Sequence, residues 1–204
     1  MPRHFSMIRD FHLADLLTLA NGACGTAAIF FALDHMRQGA AGKLYAGGAS
    51  VVLALVFDVA DGRVARWRHR ASAMGRELDS LADVISFGVA PAALGFAAGL
   101  TGLVDALALL YFVCCGISRL ARYNITAEEL AAETGKVAYF EGTPIPTSVL
   151  LVILLVALTW AGSIGPDLPG GIVGVAGHDL HWLSLLYVLS GSLMISKTLH
   201  IPKP

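Results

Sequence analysis

Charge is scarce in this chain. Only 14% of its 204 residues are Asp, Glu, Lys or Arg, while 56% are hydrophobic; a soluble domain carries about 25% charged residues. That shortage excludes an ordinary water-soluble globule and makes the bilayer the natural solvent. A net charge of −1 gives no electrostatic footing for nucleic acid as a partner. Cysteine is sparse too. Cys24, Cys114 and Cys115 lie in apolar runs without ligand-type spacing, so they read as buried free thiols rather than metal ligands or disulfides. No Ser-His-Asp arrangement and no Gly-x-Gly-x-x-Gly loop is visible, which removes the usual signs of a nucleophilic hydrolase or a dinucleotide-binding fold. The first apolar run has no clear small-residue cleavage site after it, so a removable signal peptide is not expected.

What the chain does have is apolar length. Crossing roughly 30 Å of hydrocarbon takes about 20 residues, and six stretches approach that: Leu16–Leu33, Leu44–Val59, Leu81–Leu100, Leu103–Ile117, Ser148–Ala161 and Trp182–Ile195. The expected fold is therefore all-α, a polytopic membrane protein with six transmembrane helices. Residues 1–204 suit one domain. Its first 14 residues mix Phe5, Met7, Ile8 and Phe11 with arginine and histidine, a pattern that suits an amphipathic helix lying on the membrane surface or else a disordered tail.

Basic residues orient such a bundle. With six spans, one side holds Arg3, Arg9, Arg63, Arg66, Arg68, Arg70, Arg76, Arg119, Arg122, Lys136, Lys197 and Lys203, and the other only Arg37 and Lys43. Positive charge collects on the cytoplasmic side. Both termini and the loops around residues 60–80 and 118–147 are thus expected to face the cytosol.

Four aspartates stand where two of the apolar stretches meet water: Asp58-x-x-Asp61-Gly62-x-x-Ala65-Arg66, eight residues, Gly75, then Asp79 and Asp83. Carboxylates at the edge of a bilayer core are costly unless a cation or a function holds them there. Spacings of three and four put each pair on one helix face. The eight residues Trp67–Met74 read as a polar turn, so a helical hairpin would bring the pairs together. Converging carboxylates repel one another, and divalent cations relieve that conflict; hard oxygen ligands suit Mg²⁺, Mn²⁺ or Ca²⁺. Two ions about 4 Å apart stabilise attacking and leaving oxygens in a phosphoryl-type displacement. Gly62, Ala65 and Gly75 leave room for a base or diphosphate beside the helix backbones, and Arg66 offers a planar fork to phosphate. Acids neutralised by neighbouring arginines account for one such pair, but not for all eight positions. A divalent-cation transporter is the competing class, and it leaves Arg66 and the interleaved small residues without a use.

Asp58, Asp61, Gly62, Ala65, Arg66, Gly75, Asp79 and Asp83 together resemble the full signature of the CDP-alcohol phosphotransferase family, every spacing kept. The resemblance implies a six-helix membrane enzyme, usually a homodimer, with a cytosol-facing cavity and a pair of divalent metal ions. It implies that Asp58, Asp61 and Asp79 hold metal, and that Asp83 both contributes to the metal site and acts as general base. Gly62, Ala65, Arg66 and Gly75 would then line the CDP portion of the donor.

Further stretches resemble bacterial and archaeal phosphatidylserine synthases: Leu17-Thr-Leu-Ala-Asn21 with Cys24-Gly25, Asp79 through Pro91, Arg119-Leu-Ala-Arg122-Tyr-Asn124, Phe140 through Pro146, and Leu193-Met-Ile-Ser196. Thr143 and Thr147-Ser148 depart from that subfamily, where apolar residues or alanine are more usual. This likeness implies CDP-diacylglycerol as donor, L-serine as acceptor, and a bacterial or archaeal cytoplasmic membrane as the setting. Glycerol 3-phosphate and inositol (phosphate) are the alternative acceptors. A zwitterionic acceptor needs a cation for its carboxylate, which Arg119 or Arg122 would supply, and Glu141 would face its ammonium. Both arginines also suit plain lipid-headgroup anchoring. Asn21, polar at membrane depth, is expected to bond the metal ligands or the donor, or else a neighbouring helix. His178, Asp179 and His181 have metal-like spacing but fall on the opposite side, and read as surface loop.

Overall fold

In the computed structural model, which describes residues 13–68, 73–133, 139–175, 178–196 and 200–202, the chain is a bundle of helices. They are α1 (Leu13–Gln38), α2 (Ala41–Arg68), α3 (Ala73–Asp83), α4 (Ala90–Ala97), α5 (Leu103–Glu133), α6 (Val149–Trp160) and α7 (Trp182–Ile195). The expected amphipathic segment falls on residues 1–12, outside the described part. Strand β1 (Tyr139–Glu141) pairs antiparallel with β4 (His200–Pro202), and β2 (Ile172–Val175) with β3 (His178–His181). Among the described residues, these two short ribbons depart from the expected all-α chain.

Four helical segments are long and apolar enough to cross a membrane: Ala14–Gln38, Ala41–Val64, Met74–Ala97 and Leu103–Ile125. The remaining expected spans form shorter apolar helices, Ile145–Trp160 and Trp182–Ile195. With the 3-10 turn that leads into α6, Ile145–Trp160 reaches about 26 Å, and α7 about 21 Å. In contrast, α2 and α5 outrun their apolar stretches, because helix-forming Ala, Arg, Glu and Leu continue past the hydrocarbon-like part of each.

The third long segment is not a uniform helix. Between α3 and α4, Val84–Val89 form a π-helical turn, with the Ala90 N–H donating to the Ile85 carbonyl, five residues back. Pro91 explains it. Its ring clashes with the carbonyl four residues earlier and it has no N–H to give, so the helix widens by local adjustment. Tyr187 Oη donates to the Pro91 carbonyl across 3.0 Å. That hydroxyl, on a fully buried ring, ties α7 to the widened segment.

Small residues let the helices close. A Cβ on Gly25 would lie 2.4 Å from Ser86 Oγ and 2.6 Å from Ser86 Cα, so α1 and the π turn touch backbone to backbone there. The core beneath includes Ala28, Val51, Phe87, Leu94, Phe112 and Ile145, all nearly fully buried. Leu16, Phe30, Val56, Leu107, Leu150 and Leu189 are exposed. Apolar side chains pointing outward on every long helix are what a lipid solvent requires.

Away from the aspartates, Asp105 in the first turn of α5 is fully buried and gathers the start of α7. It accepts from the His181 backbone N–H at 2.9 Å, and its Oδ2 lies 2.6 Å from His181 Nδ1. This corrects the reading of His181 as surface loop: two helix N-termini converge on one carboxylate, a favourable place for negative charge. Cysteine 114 needs correction as well. It is exposed on the outer face of α5, while Cys115 is buried and Cys24 half-buried. All three are free thiols.

Candidate metal and phosphate site

Helices α2 and α3 bring three of the four aspartates together. One carboxylate oxygen from each of Asp58, Asp61 and Asp79 lies within 4.8 Å of the others. The spacing alone placed Asp58 and Asp61 on one face of α2. The fold adds Asp79 from the facing helix.

A second layer comes from α1. Thr18 Oγ1 donates to Asp61 Oδ2 at 2.7 Å, and Asn21 Nδ2 donates to Asp83 Oδ1 at 3.2 Å. Thr18 and Asn21 are three residues apart, hence one above the other on the same helix face. Asn21 is fully buried, and its backbone carbonyl accepts from Ser86 Oγ at 2.9 Å. The hydroxyl that packs against Gly25 thus also fixes the helix that carries Asn21. Of the roles open to Asn21, the structure shows contact with the carboxylate cluster. Thr18 is a site residue that the sequence reading missed. Its one signal was a hydroxyl three residues before Asn21 in an otherwise apolar run.

Asp83 stands slightly apart from the trio. It is 7% exposed, held by Asn21 and within electrostatic range of Arg119 on α5. Arg119 is itself 7% exposed, and its guanidinium carbon lies 5.7 Å from the centre of the Tyr123 ring. Arg122 is placed differently. Its Nη1 donates to the Ile195 carbonyl at 3.2 Å, closing the C-terminal end of α7 as cationic side chains commonly do. Gly62 lies on α2 beside the cluster, Gly75 at the start of α3, and Ala65 and Arg66 on the last turns of α2. The side chains of Ala65, Arg66 and Glu141 fall outside the described part; the backbone of Glu141 lies in β1, opposite His200.

The donor set suits a hard divalent cation. It is all carboxylate oxygen, its members crowd within 4.8 Å, and Asp79 Oδ1 is buried with no hydrogen-bond partner. A buried carboxylate oxygen left unpaired costs several kcal/mol unless something positive meets it.

Comparison with known proteins agrees with this geometry. The profile of the CDP-alcohol phosphatidyltransferase family matches residues 11–189, which include every residue of the cluster. The chain belongs to this family. Among its relatives, the CDP-diacylglycerol–serine O-phosphatidyltransferase of Saccharomyces cerevisiae is 44% identical over 204 residues, covering 98% of this chain and 74% of the yeast protein. The Bacillus subtilis protein of the same name is 34% identical over 142 residues, 69% of this chain and 72% of its own length. An archaetidylserine synthase from Methanothermobacter thermautotrophicus is 37% identical over 143 residues, 69% of this chain and 55% of that protein. With a yeast protein among them, kinship within the family does not confine the chain to a bacterial or archaeal membrane. It does agree with the apolar helices in marking an integral membrane protein.

Proposed function

We propose that this chain transfers a phosphatidyl group from CDP-diacylglycerol to L-serine, releasing CMP and forming phosphatidylserine. The observation that carries the reading is the convergence of Asp58, Asp61 and Asp79 beside a separately held Asp83. Kinship with serine-specific relatives from yeast and bacteria supports serine as the acceptor.

Asp58, Asp61 and Asp79, with Asp83 at the margin, would hold a pair of divalent ions, Mg²⁺ or Mn²⁺ by hardness, with Ca²⁺ also admitted by the ligand set. When bound, such ions neutralise charge on the diphosphate and on the departing CMP. Thr18 keeps Asp61 turned into the cluster. Gly62, Ala65, Gly75 and Arg66 line the approach of the CDP moiety. Asp83 accepts the proton of the serine hydroxyl as that oxygen bonds to the diacylglycerol-side phosphorus. The bond from that phosphorus to the CMP oxygen breaks, and CMP leaves with the electron pair. Arg119 takes the serine carboxylate, Arg122 keeps the neighbouring end of α7 closed, and Glu141 stands toward the ammonium.

The donor's acyl chains reach the site from the lipid. A groove of about 490 Å³ between α2 and α6, lined by residues including Tyr45, Val52, Val56, Val152 and Val156, runs along α2 to within one turn of Asp58. The proposed assembly is a homodimer of six-span subunits, each a single domain over residues 1–204. Its termini and site face the cytosol under the positive-inside rule.

The test is to offer purified protein CDP-diacylglycerol with serine, glycerol 3-phosphate, inositol or inositol phosphate, each alone with Mg²⁺ or Mn²⁺. Serine-dependent CMP release is expected. Release with another alcohol would reassign the acceptor, and divalent-cation flux into liposomes without CMP release would replace an enzyme with a transporter.

A further inference from the structure

Several buried polar side-chain atoms among the described residues have no hydrogen-bond partner. They include Asn21 Oδ1, Asp79 Oδ1, Arg119 Nε, Thr143 Oγ1 and Ser148 Oγ. Elsewhere in the bundle, serine and threonine hydroxyls are satisfied locally: Thr26 by the Gly22 carbonyl, Ser50 by Ala46, Thr159 by Leu155 and Ser184 by His181. The contrast holds even within one short turn. Thr147 Oγ1 donates to the Pro144 carbonyl at 2.7 Å, whereas Thr143 and Ser148 on either side of it do not pair. An orphaned buried hydroxyl costs about 1–3 kcal/mol, so two of them in a rigid segment call for a ligand.

The segment is rigid for visible reasons. Gly142 has φ +72, and a Cβ there would lie 2.3 Å from the Met194 carbonyl oxygen; no other residue fits that conformation in that space. The Thr143 N–H donates to the Leu193 carbonyl at 3.2 Å. Pro144 and Pro146 restrict the backbone on both sides of Ile145. Residues Ile145–Ser148 then form a 3-10 turn, in which positions i and i+3 eclipse. Ser148 therefore shares the face of Ile145. That face is turned inward: the Ile145 side chain abuts Gly88 of the π turn and Gly116 of α5, and both Ile145 and Ser148 are fully buried. Gly116 is one helical turn from Arg119, and Gly88 follows Asp83 in the same continuous helix.

We infer that Thr143 and Ser148, with Arg119, form the acceptor subsite and set its preference for a small zwitterion. This rests on the proposed function and gives it residues. Arg119 pairs with the carboxylate, and the two hydroxyl oxygens accept from the ammonium alongside Glu141. A hydroxyl is a neutral acceptor, so it adds hydrogen bonds to the ammonium without adding negative charge beside the aspartates. The same hydroxyls would meet a phosphorylated polyol less selectively.

The experiment uses the full chain in detergent, unmodified and as Thr143→Val, Ser148→Ala and the double variant. The readouts are KM for serine, KM for CDP-diacylglycerol, the relative rate with 3-hydroxypropionate (serine without its ammonium), and the thermal midpoint without acceptor. Each single change is expected to raise the serine KM roughly tenfold, leave the donor KM in place and narrow the preference for serine over 3-hydroxypropionate. The midpoint should stay level or rise, because an unpaired buried hydroxyl is gone. Unmoved serine KM in the double variant overturns the assignment. So does a joint rise of both KM values with a lower midpoint, which marks a packing defect. If the unmodified chain releases no CMP with serine, the acceptor reading itself has failed, an outcome visible before any variant is made.

Discussion

Asp83 and Asn21 meet where α1 crosses the end of α3. The carboxamide holds one oxygen of Asp83 at 3.2 Å, and the proposed mechanism gives the other to the acceptor. Asparagine at position 83 would keep an oxygen for the Asn21 amide while losing the basicity. Turnover of Asp83→Asn is therefore expected to fall by about 10²–10⁴-fold, with CDP-diacylglycerol binding retained in a direct binding assay. Near-normal turnover would remove Asp83 from the base role. The acids themselves were legible because three- and four-residue spacing on a helix is a local property. Thr18 was not, since its worth depends on α1 lying against α2, 43 positions away. The contact Arg122 makes was out of reach for the same reason: the carbonyl it caps is 73 residues distant, and no sequence pattern announces it. His181 looked like loop until β3 carried it onto Asp105.

At the level of elements, hydropathy located every apolar helix and misplaced their ends. It reports where hydrocarbon ends and not where helix ends, so α2 and α5 continue well past the apolar runs that announced them. The π turn was beyond reach of periodicity, although Pro91 was in plain view. Its meeting with α1 is a backbone-to-backbone joint near the site. Replacing Gly25 with valine would drive a side chain into Ser86, where the nearest atoms include backbone. Overpacking of this kind costs about 1–3 kcal/mol. Gly25→Val should lower the thermal midpoint and reduce activity together, because Asn21 and Asp83 sit on the two parts forced apart. A fall in stability with normal turnover per folded molecule would show that the joint does not position the acids.

At the scale of the whole molecule, the aspartates converge between α2 and α3, and the Asp105–His181 contact joins the starts of α5 and α7. The outer wall of the bundle is uneven in height. Helices α1, α2 and α5 run 26 to 31 residues, whereas the apolar helices Ile145–Trp160 and Trp182–Ile195 are shorter. Hydrophobic mismatch costs fractions of a kcal/mol per Å, so in the proposed six-span arrangement lipid beside the two shorter helices is expected to thin. Vesicles of phosphatidylcholine with 14-, 18- or 22-carbon monounsaturated chains test this: specific activity should be highest in the thinner bilayers and fall in the thickest. A flat response would mean that the annular lipid adapts without strain. In that arrangement an uneven rim would seat most easily in a thin membrane, with short-tailed lipids along the flank beside the two shorter rods.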